Sequence, residues 1–139
     1  MERVLTDTGI WYGLFDHADP YFAQAQTKVE YLDLAQVVLP WPILYETLGT
    51  RLVRNVPALR RFESYLKKPH VTLLEDALYR DAALDLTMDS SINRFRPLSL
   101  VDCVLRLMLD DVNTKIDYLM TFNPGDFADV CRRRHIELL

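Results

Sequence analysis

The feature that most constrains the fold is a series of short apolar segments, each separated from the next by a longer stretch with helical spacing. The segments are RVLT (residues 3–6), VVLP (37–40), HVTLL (70–74) and YLMTF (118–122), with a shorter fifth in HIELL (135–139). Short apolar runs that alternate with helices are typical of α/β folds, in which helical crossovers connect parallel strands. The sequence therefore predicts an α/β fold with a central, mostly parallel sheet of four to five strands.

The intervening stretches have the features of helices. In residues 21–32, apolar residues recur every three or four positions, which predicts one amphipathic helix. Pro42 and Pro57 suit the first turn of a helix, so we expect two further helices to begin there, each running through about eleven residues. Residues 75–88 also have helical spacing, and Ser99 is placed to cap the helix that precedes YLMTF.

Length and composition indicate one globular domain over residues 1–139, because chains of about 100 to 150 residues commonly form a single fold with its own core. Half of the residues are hydrophobic, which is enough for a packed core. The longest apolar region, LAQVVLPWPILY, is shorter than the roughly 20 residues that span a bilayer. The first residues carry acids where a signal peptide is apolar, so we expect a cytoplasmic protein with no membrane partner.

Several classes of site are absent from the sequence. Cys103 and Cys131 stand far apart without a Cys-x-x-Cys pair, so we expect free core thiols. The three histidines are scattered without zinc-ligand spacing. The four glycines form neither a phosphate loop nor a dinucleotide fingerprint, and no serine lies in a Gly-x-Ser-x-Gly elbow. A receiver domain or a haloacid-dehalogenase phosphatase is disfavoured because LTDTG has neither adjacent acids nor Asp-x-Asp.

Oxygen-bearing side chains follow the predicted strands at similar points. Asp7 follows the first strand, Glu46 lies one turn into the helix after the second, and Asp102 lies in the first turn of the helix that leads to the fourth; Asn123 and Asp126 follow the fourth strand. Ligands bind beyond the carboxyl ends of such strands, and right-handed crossovers bring these ends to one edge. Carboxylates at close range repel, and a hard cation such as Mg²⁺ or Mn²⁺ compensates them. We therefore expect an acidic metal site.

Each acid also has a purely structural interpretation. Asp7 could cap the helix that begins near it. Asp102 could complete a capping box with the serine three residues before it, or form an ion pair with Arg106. Asp126 could cap the last helix, and Glu46 could be a solvated helix residue. The convergence of four acids at strand ends is harder to explain by structure alone.

A basic segment stands out against the net charge of −4. Residues 51–68 carry six Lys and Arg residues and the single acid Glu63, and such a patch can bind phosphates. The alternative is a solvated helix face. Trp11, Tyr12 and Tyr45 flank the acidic residues and could stack on bases, although core packing is the commoner role of such side chains.

Four segments together resemble the signature regions of the PIN domain, and most closely those of VapC-type toxins. They are VLTDTGIWYGLF, LPWPILYETLG, LSLVDCVLRLML and YLMTFNPGDF, and they occur in the family's order over nearly the whole chain. The resemblance implies a three-layer α/β/α sandwich, an acidic pocket that binds Mg²⁺ or Mn²⁺, and endoribonuclease activity on single-stranded RNA. It also implies an antitoxin partner and a homodimer.

The resemblance assigns roles to individual residues. Asp7, Glu46 and Asp102 match the family's acids, and Thr8 and Thr121 match the hydroxyl residues that support the pocket. Asn123 stands where the family commonly has its fourth acid, so Asp126 would supply that charge or the site would have three carboxylates. We expect Asp7, Asp102, Asp126 or Asn123 to hold the metal and Glu46 to orient water. The residues expected to guide RNA, on a surface also suited to homodimer contacts, are Arg51, Arg54, Arg60 and Arg61. The alternative is a catalytically weak PIN-fold module that binds RNA or a protein.

Overall fold

Five parallel strands form the central sheet of the computed structural model, which describes all residues 1–139. The strands lie in the order β3-β2-β1-β4-β5, and every neighbouring pair is parallel. Their bounds are β1 Arg3–Thr6, β2 Gln36–Pro40, β3 Val71–Leu74, β4 Tyr118–Met120 and β5 Glu137–Leu138. The predicted parallel sheet of four to five strands is confirmed.

The strand order reverses between β1 and β4. From β1 the chain adds β2 and then β3 on one side, and it returns to place β4 and β5 on the other side of β1. Leu5 lies beside Leu119 and Thr6 beside Met120 in the ladder between β1 and β4. Ligand sites of open α/β sheets lie at the carboxyl ends of the strands where the order reverses. In this chain that point is occupied by Asp7 and Thr121, each the first residue after its strand.

The helices form two packed groups. One group contains α1, α2, α4, α5 and α6, the other contains α7, α8 and α9, and α4 also contacts α8. Their bounds, together with that of α3, are α1 Thr8–Phe15, α2 Phe22–Gln26, α3 Val29–Leu34, α4 Trp41–Thr47, α5 Thr50–Val53, α6 Val56–Leu66, α7 Arg80–Ile92, α8 Leu100–Asp110 and α9 Ala128–Arg134. This arrangement agrees with the three-layer sandwich that the resemblance implies. No helix is long and apolar enough to span a membrane.

Two helices predicted as continuous are each divided in the structure. The helix expected over residues 21–32 is two helices, α2 and α3, because the Thr27 hydroxyl donates a hydrogen bond to the carbonyl of Gln24 and so competes with the backbone. The helix expected after Pro42 ends at Thr47, and Gly49 then has an extended backbone that caps α5. Both predicted lengths were wrong, because a side-chain hydrogen bond interrupts the first helix and the extended backbone of Gly49 interrupts the second.

The core lies between the sheet and the helices. Trp11 and Phe62 are fully buried in it, with ring centroids 5.5 Å apart. Gly13 brings α1 close to α2, since a Cβ there would lie 2.8 Å from the Cβ of Ala25. Both cysteines are free and buried, which confirms the prediction of core thiols. This packing fixes α1, whose first residues enter the site described next.

Candidate active site

Asp7 lies at the junction of β1 and α1. Its backbone N–H extends the ladder to β4 by donating to the carbonyl oxygen of Met120 at 3.1 Å. Its carboxylate accepts from the Thr8 N–H at 2.7 Å and from the Thr121 hydroxyl at 2.9 Å. Asp7 is only 8% exposed. It therefore caps α1 and at the same time presents a buried carboxylate at the reversal point of the sheet.

The two predicted supporting threonines both contact acids. The Thr121 hydroxyl, besides donating to Asp7, accepts from the backbone N–H of Asn123 at 3.0 Å. The Thr8 hydroxyl donates to Glu46 Oε1 at 2.7 Å. The threonines thus connect Asp7 with the loop after β4 and connect the start of α1 with α4.

Glu46 lies near the carboxyl end of α4, on the surface. The Tyr12 hydroxyl donates to the backbone carbonyl of Glu46 at 2.9 Å, so α1 holds this part of α4 by two contacts. Apart from the bond with Thr8, the Glu46 carboxylate has no hydrogen-bond partner in the protein. Its exposed position leaves the second oxygen free to bind water.

Asp102 lies in the first turn of α8 and is half-buried. Ser99 caps the helix by accepting from the Asp102 N–H at 3.1 Å, as the sequence predicts. The alternative ion pair between Asp102 and Arg106 is wrong, because Arg106 binds Asp129 with two bonds of 2.7 Å. The carboxylate of Asp102 therefore has no cationic partner.

Asn123 and Asp126 lie in the loop after β4. Pro124–Asp126 form a single 3₁₀ turn, and Phe127, not Asp126, precedes α9. Asp126 makes no side-chain hydrogen bond to the first turn of α9, so the prediction that Asp126 caps this helix is wrong. Asn123 is exposed, and its side-chain amide has no partner in the protein.

The negative charges of the carboxylates raise one another's pKa. Burial raises the pKa of Asp7 above its usual 3.8, hydrogen bonds from Thr121 and Thr8 oppose the rise, and the charge of Asp126 adds to it. Burial also raises the pKa of Asp102, and the charges of Asp7, Asp126 and Glu46 raise it further against a hydrogen bond with Ser99. None of the four acids forms a salt bridge. Asp102 therefore lies within electrostatic range of the other three carboxylates, and none of the four has a basic side chain as its partner.

The donor atoms are of a kind that binds a metal ion, but they do not form a preassembled metal site. Every donor is an oxygen, which suits Mg²⁺ or Mn²⁺. No group of three or more His, Cys, Asp or Glu side chains is arranged to hold an ion as the structure stands. Mg²⁺ usually keeps several waters and binds one or two carboxylates directly, so a cluster that is wider than a closed cage is compatible with it.

Arg106 clamps the loop that carries Asp126, a contact that the sequence did not predict. Arg106 donates to the carbonyl oxygen of Asp126 at 2.7 Å as well as to Asp129, and its side chain is 12% exposed. Arg96 adds a longer contact to Asp129. These arginines lower the pKa of Asp129 far below its usual value, their hydrogen bonds outweighing its burial. The spacing of Asp102 and Arg106 suggested a local pair, and no local signal indicated a partner 23 residues away.

The four arginines predicted to contact RNA differ in their partners. Arg51 donates to Asp16 at 2.6 Å and to Asp19 at 2.9 Å, and it lies over the ring of Tyr12. Arg61 donates to the carbonyl oxygen of Phe15 at 3.0 Å. The remaining two, which have no salt-bridge partner, are Arg54 and Arg60. The charge of Arg51 is thus largely neutralised within the protein.

The aromatic residues near the acids also differ. Trp11 is fully buried and donates its Nε1–H to the Thr6 hydroxyl, which confirms the core interpretation for this residue. Tyr12 is half-buried and braces α4. Tyr45 is 64% exposed, next to Glu46, and is the residue of the three that is free to stack on a ligand.

No family model and no curated protein matches this sequence. Among solved structures, the crystal structure of VapC20 from Mycobacterium tuberculosis, described as a toxin that cleaves the sarcin–ricin loop, matches it with a TM-score of 0.68. The two chains are 18% identical, and the match covers 91% of this chain and 94% of VapC20. The chain has a PIN-domain fold of the VapC type.

The PIN-like fold explains why acids so far apart in sequence influence one another's pKa. In this fold the sheet order places the ends of β1 and β4 side by side, and the helices that follow β2 and precede β4 contribute Glu46 and Asp102. At this level of identity the match establishes the fold, and the function has to be argued from the site.

Proposed function

We propose that this protein is a divalent-metal-dependent endoribonuclease that hydrolyses phosphodiester bonds of single-stranded RNA, acting in the cytoplasm as the toxin of a toxin–antitoxin pair. The observation that carries the proposal is the group of four carboxylates at the reversal point of a PIN-like sheet, none of which has a cationic partner. The fold shared with VapC20, described as a toxin that cleaves the sarcin–ricin loop, supports it.

The residues divide into ligands and orienting groups. Asp7, Asp102 and either Asp126 or Asn123 would hold Mg²⁺ or Mn²⁺, which would supply a bound water of lowered pKa and neutralise charge on the phosphate. Thr121 fixes the Asp7 carboxylate by donating a hydrogen bond to it. Thr8 does the same for Glu46, whose free oxygen would orient the attacking water.

Cationic side chains would offset the repulsion between an acidic site and a polyanion. Arg54, Arg60 and Arg61 are exposed and have no carboxylate partner, so we propose that they contact the RNA backbone. Arg51 remains a predicted RNA contact, but two aspartates already engage its donors, and the proposal does not depend on it.

The protein partners belong to the proposal as well. An apolar groove of about 370 Å³ lies between α4, α7 and α8 and includes Tyr45, Leu84 and Leu100. Exposed apolar surface of this kind favours a protein interface. We propose the homodimer contact at this groove and not at the basic surface, where a two-fold axis would bring like-charged arginines together. A dimer contact at the groove would leave the acidic site accessible, and a small antitoxin would bind there.

Cleavage of a labelled single-stranded RNA tests the proposed activity. The parent protein should cleave with Mn²⁺ and stop when chelator is added. Asp7→Asn and Asp102→Asn should lose most of the activity while remaining folded, whereas Asp85→Asn, on the exposed face of α7, should retain it. Folded Asp7→Asn and Asp102→Asn proteins that cut as fast as the parent would refute the mechanism.

A catalytically weak PIN-fold module that binds RNA or a protein is the second candidate. Asn123 favours it, because an amide in place of an acid removes one negative charge, and the acids do not form a closed metal cage. Calorimetric titration with Mn²⁺ separates the two functions. Saturable binding supports the nuclease, and absence of binding supports the module.

A further inference from the structure

A second pocket lies at the other end of α1 from the acidic site. It has a volume of about 340 Å³ and is lined by Phe15, Arg60, Arg61, Ser64, Tyr65 and Lys68. We call it the cationic pocket. Three of its six side chains are positively charged, two carry hydroxyls, and none is acidic. All of its charged and hydroxyl groups can donate hydrogen bonds, so its chemistry suits an oxyanion.

The charges of the cationic pocket are uncompensated by acidic side chains. Eight of the sixteen Lys and Arg residues pair with an acid, as Arg133 does with Asp110 and Lys67 with Glu63, but none of the three in the pocket does. Arg60 and Lys68 form no salt bridge, and Arg61 donates to a neutral carbonyl. Three like charges around one depression repel one another, and a bound anion would relieve that repulsion.

Neighbouring groups hold two of these cations in place. The Arg61 guanidinium is fixed to the carboxyl end of α1 by its bond to Phe15, and four of its five donors remain for a ligand. Lys68 Nζ lies 5.3 Å from the centre of the Tyr65 ring, within cation–π range. A neighbouring pocket is lined by both Asp33 and Lys68, but these two side chains form no salt bridge. The donors are therefore partly ordered before a ligand arrives.

The distance between the two sites suits one extended ligand. Helix α1 begins directly after Asp7 and ends at Phe15. Its eight residues span about 12 Å at 1.5 Å per residue. A nucleic-acid strand with one phosphate at the acidic site would thus have others within reach of the cationic pocket.

We propose that the cationic pocket binds a backbone phosphate of the RNA substrate away from the bond that is cut. This inference rests on the proposed nuclease function and adds Ser64 and Lys68 to the RNA-binding residues. An acidic protein segment would meet the same positive charges. RNA is favoured because the acidic site at the other end of α1 repels a polyanion and needs a second anchor to retain it.

The test measures RNA binding without catalysis. A fluorescein-labelled single-stranded RNA is titrated in chelator, so that no divalent ion and no cleavage contributes. Arg60→Gln and Lys68→Gln should each weaken binding about threefold at moderate salt and reduce the slope of log Kd against log salt by about 0.7. The matched control is Arg132→Gln, because Arg132 is exposed on α9 and has no salt-bridge partner. It should bind as the parent does.

The outcomes separate this inference from the proposed function. Unchanged binding in Arg60→Gln and Lys68→Gln, or an equal loss in Arg132→Gln, would overturn the inference even if the parent cleaves RNA. Binding that depends on the pocket in a protein that never cleaves would support the pocket and refute the nuclease. Equal competition by a poly-glutamate peptide of the same charge would show a general anion site and overturn the assignment to RNA.

Discussion

Replacing Arg106 with methionine tests whether a clamp on the loop after β4 holds Asp126 in the acidic site. Arg106 Nη1 donates to the Asp126 carbonyl oxygen and to Asp129, and Nη2 donates to Asp129, all at 2.7 Å. Methionine keeps much of the apolar stem but removes all three bonds. It also leaves the carboxylate of Asp129 with only the longer contact to Arg96.

The magnitude follows from these contacts. Hydrogen bonds to charged groups contribute about 1.5 to 3 kcal/mol each when buried. Asp129 is 45% exposed, so solvent screening reduces its share, whereas the bond to Asp126 is shielded by an arginine that is 12% exposed. We therefore expect Arg106→Met to lower the free energy of unfolding by about 3 kcal/mol. Arg106→Lys, which retains the charge but not the fork of donors, should lose about half of that.

Urea unfolding and RNA cleavage are the two assays. Arg106→Met should cleave more slowly than the parent under conditions where both are folded, and should lose nothing further in an Asp126→Ala background. The matched control is Arg133→Met, which breaks an exposed pair with Asp110 and should leave cleavage unchanged. If Arg106→Met is destabilised but cleaves like the parent, the clamp is structural and the reasoning on Asp126 is refuted.

Three further predictions concern packing, the support of the acids and pH. Gly13→Ala should cost about 1 to 3 kcal/mol in urea unfolding, because the new Cβ would lie 2.8 Å from that of Ala25; unchanged stability would show that α2 yields freely. Thr121→Val should cost about 1 to 3 kcal/mol and slow cleavage, because it removes the donor to Asp7; normal values of both would contradict that role. Burial would raise the pKa of Asp110, but hydrogen bonds from two arginines of α9 outweigh it and lower the pKa below 3.8. The stabilisation from this carboxylate is present above pH 3.8 and is lost in stronger acid. Asp110→Asn should therefore be less stable than the parent at pH 7, and this difference in stability should disappear on acidification. A stability difference that does not change with pH would contradict the ion pairs.

The sheet could be predicted from the sequence because each strand is a short run of consecutive, mostly apolar residues. All five strand segments were located from short apolar runs, and Ser99 was identified as a cap from its position before a helix. Helix lengths were less predictable, since the breaks at Thr27 and Gly49 depend on single hydrogen bonds and on one extended residue. Such local contacts leave no trace in apolar periodicity.

The sequence predicts a set of candidate site residues but not their contacts. Strand-end position selects Asp7, which directly follows β1, because parallel topology brings strand ends together, whereas Asp102 was selected from its place in the first turn of the helix before β4. The bonds of Thr8 to Glu46 and of Arg51 to Asp16 join segments more than thirty residues apart, so nothing in either segment indicates them. These long-range contacts decide which charges remain free for a ligand.

Paramagnetic broadening by Mn²⁺ in the NMR spectrum of the protein tests the central claim most directly. Sub-stoichiometric Mn²⁺ should broaden together the backbone signals next to Asp7, Asp102 and Asp126, and much less those of distant Asp85. Asp102→Asn should weaken the effect at all three positions at once. Broadening at only one of them, or equal broadening at Asp85, would show that these carboxylates do not share an ion and would contradict the proposed nuclease centre.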